Sequence, residues 1–471
     1  MLKIENDNRK ALKAGAWYTV SNFLLKGMSF LTTPIFARML TKGEFGSYSN
    51  FVSWLSIVAV VVTLDMQSSV ARARYDFQED FDGYLSSIIF LGSMITALFY
   101  GIVLLFQDFF VSLLEIDMIY IHVMFLNVLL SPALSIMQSK HRIQQKYKSF
   151  VLISVLMTAA STGLSVCLVF LLKDRLFGRI IGENIPLIIA YAAAFIFMLC
   201  RGKTLVNLSY WKYAVLFSAP IVPHLLSNTL LNSSDKVMIT KMVGPEANAT
   251  YSIAYSCGMI ISVLFTSMNS AWVPWLFDRM YQKQIDTVKK VSVLYMLLFV
   301  VMVEGTILIA PELMLILGGS AYADAKFVVP PIMLGYGFKF GYTFYVNMEQ
   351  YAKKTLFISV GTILSALVNI GLNYIFIPIF GFVAAAYTTL AGFILLFFLH
   401  YMFSRFLKIT YMYNNRLLFL LMAVMMVLGL LTQFLYYNTV LRYCVIAVLA
   451  LLGLYLLLRF YRQYKGQAGK G

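Results

Sequence analysis

Ionisable side chains are scarce in this sequence. Asp, Glu, Lys and Arg make up 12% of its 471 residues, against about 25% in an ordinary soluble domain. That shortage excludes a water-exposed surface over most of the chain. No connection between apolar runs is long enough to hold a soluble domain. Cysteine is almost absent. Cys167, Cys200, Cys257 and Cys444 all fall in apolar runs, without CxxC or Cys/His spacing, so neither a disulfide framework nor a zinc site is expected. The GxxxxGK[ST], HExxH and GxSxG patterns are missing, which removes P-loop ATP hydrolysis and two common hydrolase chemistries. No cofactor is implied. Asp80-Phe81-Asp82 is a DxD triplet of the kind some metal-dependent glycosyltransferases use. It stands in a short acidic turn with Asp76 and Glu79, and a solvated loop is the simpler reading. The polar first dozen residues lead into an apolar run without a small-x-small site, so no removable signal peptide is expected.

What is present is hydrophobic: 60% of the residues. A helix crosses the hydrocarbon core with about 20 mostly apolar residues. Such runs occupy 14–37, 46–70, 85–106, 117–138, 149–172, 180–200, 213–240, 250–277, 291–310, 327–350, 355–379, 382–404, 415–437 and 441–460. The net charge of +16 is spread over connections rather than gathered on a domain, so it does not indicate nucleic acid binding. About 26 of the 37 Lys and Arg residues lie in the termini and even-numbered connections, and about 8 in the odd-numbered ones. That bias puts both termini in the cytoplasm of an inner-membrane protein. Lys173, Arg175 and Arg179, after span five, go against it.

The two halves repeat. Arg38-Met39-Leu40 and Tyr48-Ser49 return as Lys241-Met242-Val243 and Tyr251-Ser252, each 203 residues later, and Phe177-Gly178 returns as Phe380-Gly381 at the same offset. Lys148 with Ile153-Ser154-Val155 matches Lys353 with Ile358-Ser359-Val360 at about 205. A six-span repeat is even, so both copies enter the membrane in one direction. Transporters built from such parallel repeats carry substrate between the halves. The expected domains are 1–205 and 206–408, each six spans, with spans thirteen and fourteen appended over 409–471.

Polar groups inside spans are costly and usually face a cavity or one another. Span one carries Asn22, Lys26, Ser29 and Thr33 at one-face spacing, and span two carries Asp65, Ser69 and Arg72. Span seven carries His224, Asn228, Asn232 and Asp235, with Lys236 beside them. Span nine has a lone Glu304, span ten has Lys339, Thr343, Asn347 and Gln350, and span eleven has Ser365, Asn369 and Asn373. Prolines 34, 132, 186, 220, 223, 274, 330 and 331 offer places to bend.

Asn369, Asn373, Pro378, Gly381, Ala385 and Ala386 fit a pattern N-x-x-x-N-x-x-x-I-P-x-x-G-x-x-G-A-A, with Ala384 in place of the second glycine. That stretch resembles a hallmark of the polysaccharide exporters. Asn232-Ser-Ser-Asp-Lys-Val-Met-Ile239 and the run from Ser21 to Tyr48 are similar to their seventh and first helices. The resemblance is to the lipid-linked oligosaccharide flippases of the multidrug/oligosaccharidyl-lipid/polysaccharide exporter superfamily, over twelve core spans with two appended. It implies an all-α integral membrane fold of about fourteen helices, two six-helix bundles in a V around a central cavity. It implies that an undecaprenyl-diphosphate-linked glycan passes from the cytoplasmic to the outer leaflet by alternating access. A cation suits a diphosphate held at low dielectric. Lys26, Arg72 and Lys339, with Asn22, Asn228 and Asn232, are the substrate-binding candidates. Asp65, Asp235, Glu304 and His224 are the candidates for coupling to a proton or sodium ion. The remaining expected partners are membrane lipid and a polysaccharide polymerase complex. A drug antiporter on the same fold and a membrane glycosyltransferase or polymerase are the competing readings. Basic groups in the spans weigh against the first, and the missing exterior loop against the second.

Overall fold

The computed structural model describes residues 27, 30–143 and 147–468. These residues are helical or in turns, with no strand among them. In hydrocarbon every backbone N–H and C=O needs an internal partner, which a helix supplies residue by residue. Helix α1 covers 30–39. Then follow α2 (Lys42–Thr63), α3 (Val70–Asp76), α4 (Phe81–Leu105), α5 (Gln107–Leu114), α6 (Met118–Ile143), α7 (Tyr147–Leu171), α8 (Arg175–Gly202), α9 (Leu208–Ser218) and α10 (Val222–Met242). The chain continues through α11 (Pro245–Tyr281), α12 (Ile285–Leu308), α13 (Ala310–Leu317), α14 (Val329–Tyr351), α15 (Thr355–Phe380), α16 (Phe382–Phe406), α17 (Asn415–Leu431) and α18 (Thr439–Ala468).

Among the described residues, eleven helices are long and apolar enough to cross a membrane. A twelfth span is counted if α9 and α10, bent by 53° at their junction, are taken together. Helix α14 stands where span ten is expected but is more polar, and 19 of its 23 residues are buried. It is enclosed by protein, so Lys339, Asn347 and Glu349 need not meet lipid. Most of span one lies outside the described residues. The chain is an all-α integral membrane protein with about fourteen transmembrane helices.

By internal packing the chain falls into two compact units, Met1–Ala249 and Thr250–Gly471. The duplication is visible in the elements. Helices α2 and α11 start 203 residues apart, at Lys42 and Pro245. Helices α4 and α12 end 203 apart, at Leu105 and Leu308. The eight-residue helices α5 and α13 keep that offset at both ends.

One pair of repeats diverges. Helix α11 runs for 37 residues. Helix α2 stops at Thr63, because Leu64 (φ 50°) and Asp65 (φ 44°) turn left-handed, and a 3₁₀ turn over Met66–Ser69 leads into α3. The Gln67 amide donates to the Asp65 carboxylate at 2.8 Å and the Ser68 hydroxyl donates to its other oxygen. This local bonding competes with the helix and holds the break. The spacing of Asp65, Ser69 and Arg72 therefore does not form the single helical face expected from the sequence.

The cations that oppose the charge bias also find structural homes. Arg179 lies within α8 and is buried. Its guanidinium sits over the rings of Phe36 (3.8 Å) and Tyr48 (4.2 Å), 3.4 Å from Glu183, and donates to the Tyr48 hydroxyl at 2.7 Å. Arg175 donates to the Met39 carbonyl at 2.8 Å. In the second unit Arg442 is buried and pairs with Glu312 of α13.

Close backbone approach fixes the start of α2. A Cβ at Gly46 would lie 1.7 Å from the Pro245 carbonyl oxygen, whereas one at Gly43 would meet nothing within 4 Å. The Asn248 amide bridges the same place, donating to the Gly46 carbonyl and to the Thr240 hydroxyl, each at 2.9 Å. Gly46→Ala is expected to destabilise the first unit by about 1–3 kcal/mol through overpacking. Gly43→Ala is expected to be neutral or slightly stabilising. Unfolding of the two purified variants in mild detergent checks the difference.

Candidate functional site

In the first unit, two breaks in helical structure meet beside a proline-bearing helix. The break after α2 faces α4 at Ile88 and Gly92, and α6 at Pro132, around a pocket of about 170 Å³. Thr63, Asp65, Gln67, Ser131 and Ser135 line it with polar groups. The bend between α9 and α10 joins from another side: the Ser218 hydroxyl donates to the Asp65 carbonyl at 3.3 Å. Pro220 and Pro223 account for that bend, since proline withholds a backbone donor and crowds the preceding turn. A carboxylate, an amide and hydroxyls are thus gathered where the helices are least continuous.

Helix α10 packs along α2. It carries His224, Asn228, Asn232 and Asp235 on one unbroken helix, as their spacing predicts. The Asn232 amide donates back to the Asn228 carbonyl. Asp235 is 1% exposed. Arg72 is on the exposed α3, beyond the apolar part of span two, and pairs with Asp76 at 3.1 Å. The Tyr213 hydroxyl, 2.6 Å away, and then Arg72 hold the Asp76 carboxyl below the usual carboxylate range. Lys26 and Asn22 lie outside the described residues.

The DxD triplet has structural work. Asp80 caps α4 by accepting from the Gly83 amide (3.1 Å) and accepts the Tyr210 hydroxyl (2.8 Å). Asp82 accepts from Lys140, whose side chain is 9% exposed, and from Arg201 at 2.8 Å. These bonds tie α4 to α6, α8 and α9 and occupy the carboxylates that a sugar-nucleotide metal site would need.

The second unit holds the other candidates. Lys339 of α14 stands 5.1 Å from the Phe393 ring centroid and 5.8 Å from that of Tyr336, a cation held against aromatic faces. Glu304 of α12 is 3% exposed, and its Oε1 has no hydrogen-bond partner among the described residues. Asn347 donates to Asn269 at 3.1 Å and Asn369 to Thr389 at 3.3 Å, while Thr388 donates to Asn373. These amides bond between helices.

Sequence reasoning missed the most deeply buried carboxyl–histidine pair. His400 Nδ1 of α16 lies 3.0–3.1 Å from both carboxylate oxygens of Glu349 on α14, and both side chains are fully buried. Gly361 of α15 makes room, because a Cβ there would lie 2.7 Å from His400 Nε2. Glu349 stands beside Gln350 at the edge of span ten and reads as a boundary residue. A carboxylate in one span and a histidine in another, both within two turns of the same membrane face, were the available signal. Removing one partner leaves the other buried and unpaired, which costs about 3–5 kcal/mol. Glu349→Ala and His400→Ala are each expected to lose about that much in reversible unfolding. The double replacement by leucine should lose less than the two single losses added together.

Comparisons agree with this architecture. A relative from Haemophilus influenzae, an uncharacterized membrane protein, is 22% identical over 368 residues, spanning 76% of this chain and 89% of its own. Among solved structures, the lipid II flippase MurJ in an inward closed conformation is similar, with a TM-score of 0.73 at 14% identity. The match covers 95% of this chain and 99% of that one. An inward-facing multidrug resistance MATE family transporter of the MOP superfamily is similar with a TM-score of 0.61 at 12% identity, covering 84% of this chain and 98% of that one. The fold is thus that of the MurJ and MATE structures. The family model for polysaccharide biosynthesis proteins matches residues 11–280, and the chain belongs to that family.

Proposed function

We propose that this protein turns an undecaprenyl-diphosphate-linked oligosaccharide from the cytoplasmic to the outer leaflet of the inner membrane by alternating access. The observation that carries the reading is the stacked pair of helix breaks in the first unit. Leu64–Asp65 and the Ser218–Val222 bend meet at one hydrogen bond beside a pocket that Asp65, Gln67 and three hydroxyl residues line in part. A purely structural membrane helix has little reason to carry such a break, whereas a helix that changes shape does. Membership of a polysaccharide biosynthesis family supplies the substrate class. The duplicated six-span halves are the moving parts in this reading, with the last two helices appended and both termini cytoplasmic.

The diphosphate needs a cation in a low-dielectric setting. Lys26 and Lys339 are the proposed holders, with Arg72 at the cytoplasmic mouth and Asn22, Asn228 and Asn232 for sugar hydroxyls. Asp65, Asp235, Glu304 and His224 are the proposed ion-coupling groups, since no ATPase motif is present to drive transport. The occupied DxD carboxylates favour transport over glycosyl transfer.

A strain deleted for this gene should accumulate the lipid-linked oligosaccharide facing the cytoplasm, and the parent chain should clear it. Lys26→Ala should fail to clear it while reaching normal abundance in the membrane. Normal clearance would remove Lys26 from the mechanism, and lack of accumulation on deletion would remove the flippase reading. Asp65→Ala, which loses the bonds holding the break, should lower clearance with membrane abundance unchanged.

A further inference from the structure

At one end of the second unit, α12 and the two appended helices α17 and α18 enclose a groove of about 380 Å³. Its mouth is basic. Lys289 and Lys290, in the second turn of α12, both line it, and neither has an ion-pair partner among the described residues. Asp286, one turn earlier, is exposed and forms no ion pair with either. Asn414 lines the mouth as the N-cap of the 17-residue α17, its side-chain oxygen accepting from the Leu417 amide at 3.3 Å. No acidic residue stands in the first turn of α17, so its free N–H groups and dipole favour an anion there.

The rest of the groove is apolar: Val293, Leu294, Leu297, Leu417 and Leu456. Leu294 and Leu456 are buried against one another and form its floor. From Lys289 to Leu297 the groove runs eight residues, about 12 Å along a helix. One leaflet contributes about 15 Å of hydrocarbon. Two free ammonium groups and a helix N-terminus thus stand above an acyl-length apolar slot, at the membrane face that carries the basic connections.

We propose that this groove is a site for one resident anionic glycerophospholipid. Lys289, Lys290 and the α17 N-terminus hold the phosphate, and the leucine slot holds the first half of an acyl chain. The lipid fills the seam between α12 and the helices that have no counterpart in the duplication. Basic pockets between transmembrane helices bind anionic headgroups by this chemistry. The inference does not depend on what the protein transports, because it is read by binding alone.

The test uses the full-length protein, purified, delipidated and titrated with phosphatidylglycerol or phosphatidylcholine of matched acyl chains, with occupancy counted by native mass spectrometry. The parent should hold one phosphatidylglycerol in preference to phosphatidylcholine. K289A/K290A should bind phosphatidylglycerol roughly 30-fold more weakly, from two near-surface lysines, with phosphatidylcholine unchanged. Leu297→Trp, which fills the slot and keeps both lysines, should also weaken phosphatidylglycerol binding. Equal binding of the two lipids by the parent, or unchanged phosphatidylglycerol binding by K289A/K290A, overturns the proposal. So does competition by inorganic phosphate at the lipid's own concentration, which would mark a free-anion site. Displacement of the bound lipid by equimolar undecaprenyl diphosphate overturns it as well, since the groove would then belong to the transported substrate.

Discussion

Inside hydrocarbon a polar atom must find its partner within the protein, and the architecture follows from that requirement. Continuous helices meet it for the backbone with no help from side chains. Where the helix fails, side chains can take over, and they do so at the end of α2. The end of α2 frees backbone groups at Leu64 and Asp65. The Asp65 carboxylate answers by organising Gln67 and Ser68, and Ser218 from the bent helix donates to the Asp65 carbonyl. The two breaks are neighbours, joined by the bond that Ser218 gives to the Asp65 carbonyl.

The same requirement governs charge. Buried basic side chains stand against carboxylates: Lys140 on Asp82, Arg179 on Glu183, Arg442 on Glu312, His400 on Glu349, with the exposed Arg201 joining Lys140 on Asp82. Such pairs add little net stability compared with apolar side chains of equal volume. They do fix which helices are neighbours. Asp82 joins α4 to α6 and α8, Glu312 joins α13 to α18, and Glu349 joins α14 to α16. Aromatic rings do related work, as Phe393 and Tyr336 do beside Lys339.

Span number, helical class and duplication were legible in the sequence, because each rests on local hydrophobicity or a fixed offset. The α10 stripe was legible for the same reason: its residues lie on one unbroken helix. The break at Leu64–Asp65 was not. It has neither glycine nor proline, and the left-handed turn is held by side-chain bonds that spacing does not report. Short α5 and α13 escaped notice because they lie in the connections between apolar runs, although their shared offset was there to be seen. Arg179 looked like a loop charge because its ring partners, Phe36 and Tyr48, are more than a hundred residues away. The Glu349–His400 pair escaped for the same reason, since only tertiary packing brings α14 and α16 together.

Divergence between the repeats has a mechanical consequence. Left-handed backbone costs an ordinary residue about 1–2 kcal/mol, so Leu64 and Asp65 together carry a few kcal/mol of strain. Hydrogen bonds to the Asp65 carboxylate return about 1.5–3 kcal/mol each. Strain and bonding are therefore of one size, so a ligand that alters the bonding at Asp65 bears directly on whether the break is kept. Helix α11, its counterpart by offset, has no such bond-held break and keeps its 37 residues helical. On the proposed function, the work of shape change in the repeated spans two and eight falls on the first unit, at the one carboxylate whose bonds both hold the break and face the pocket.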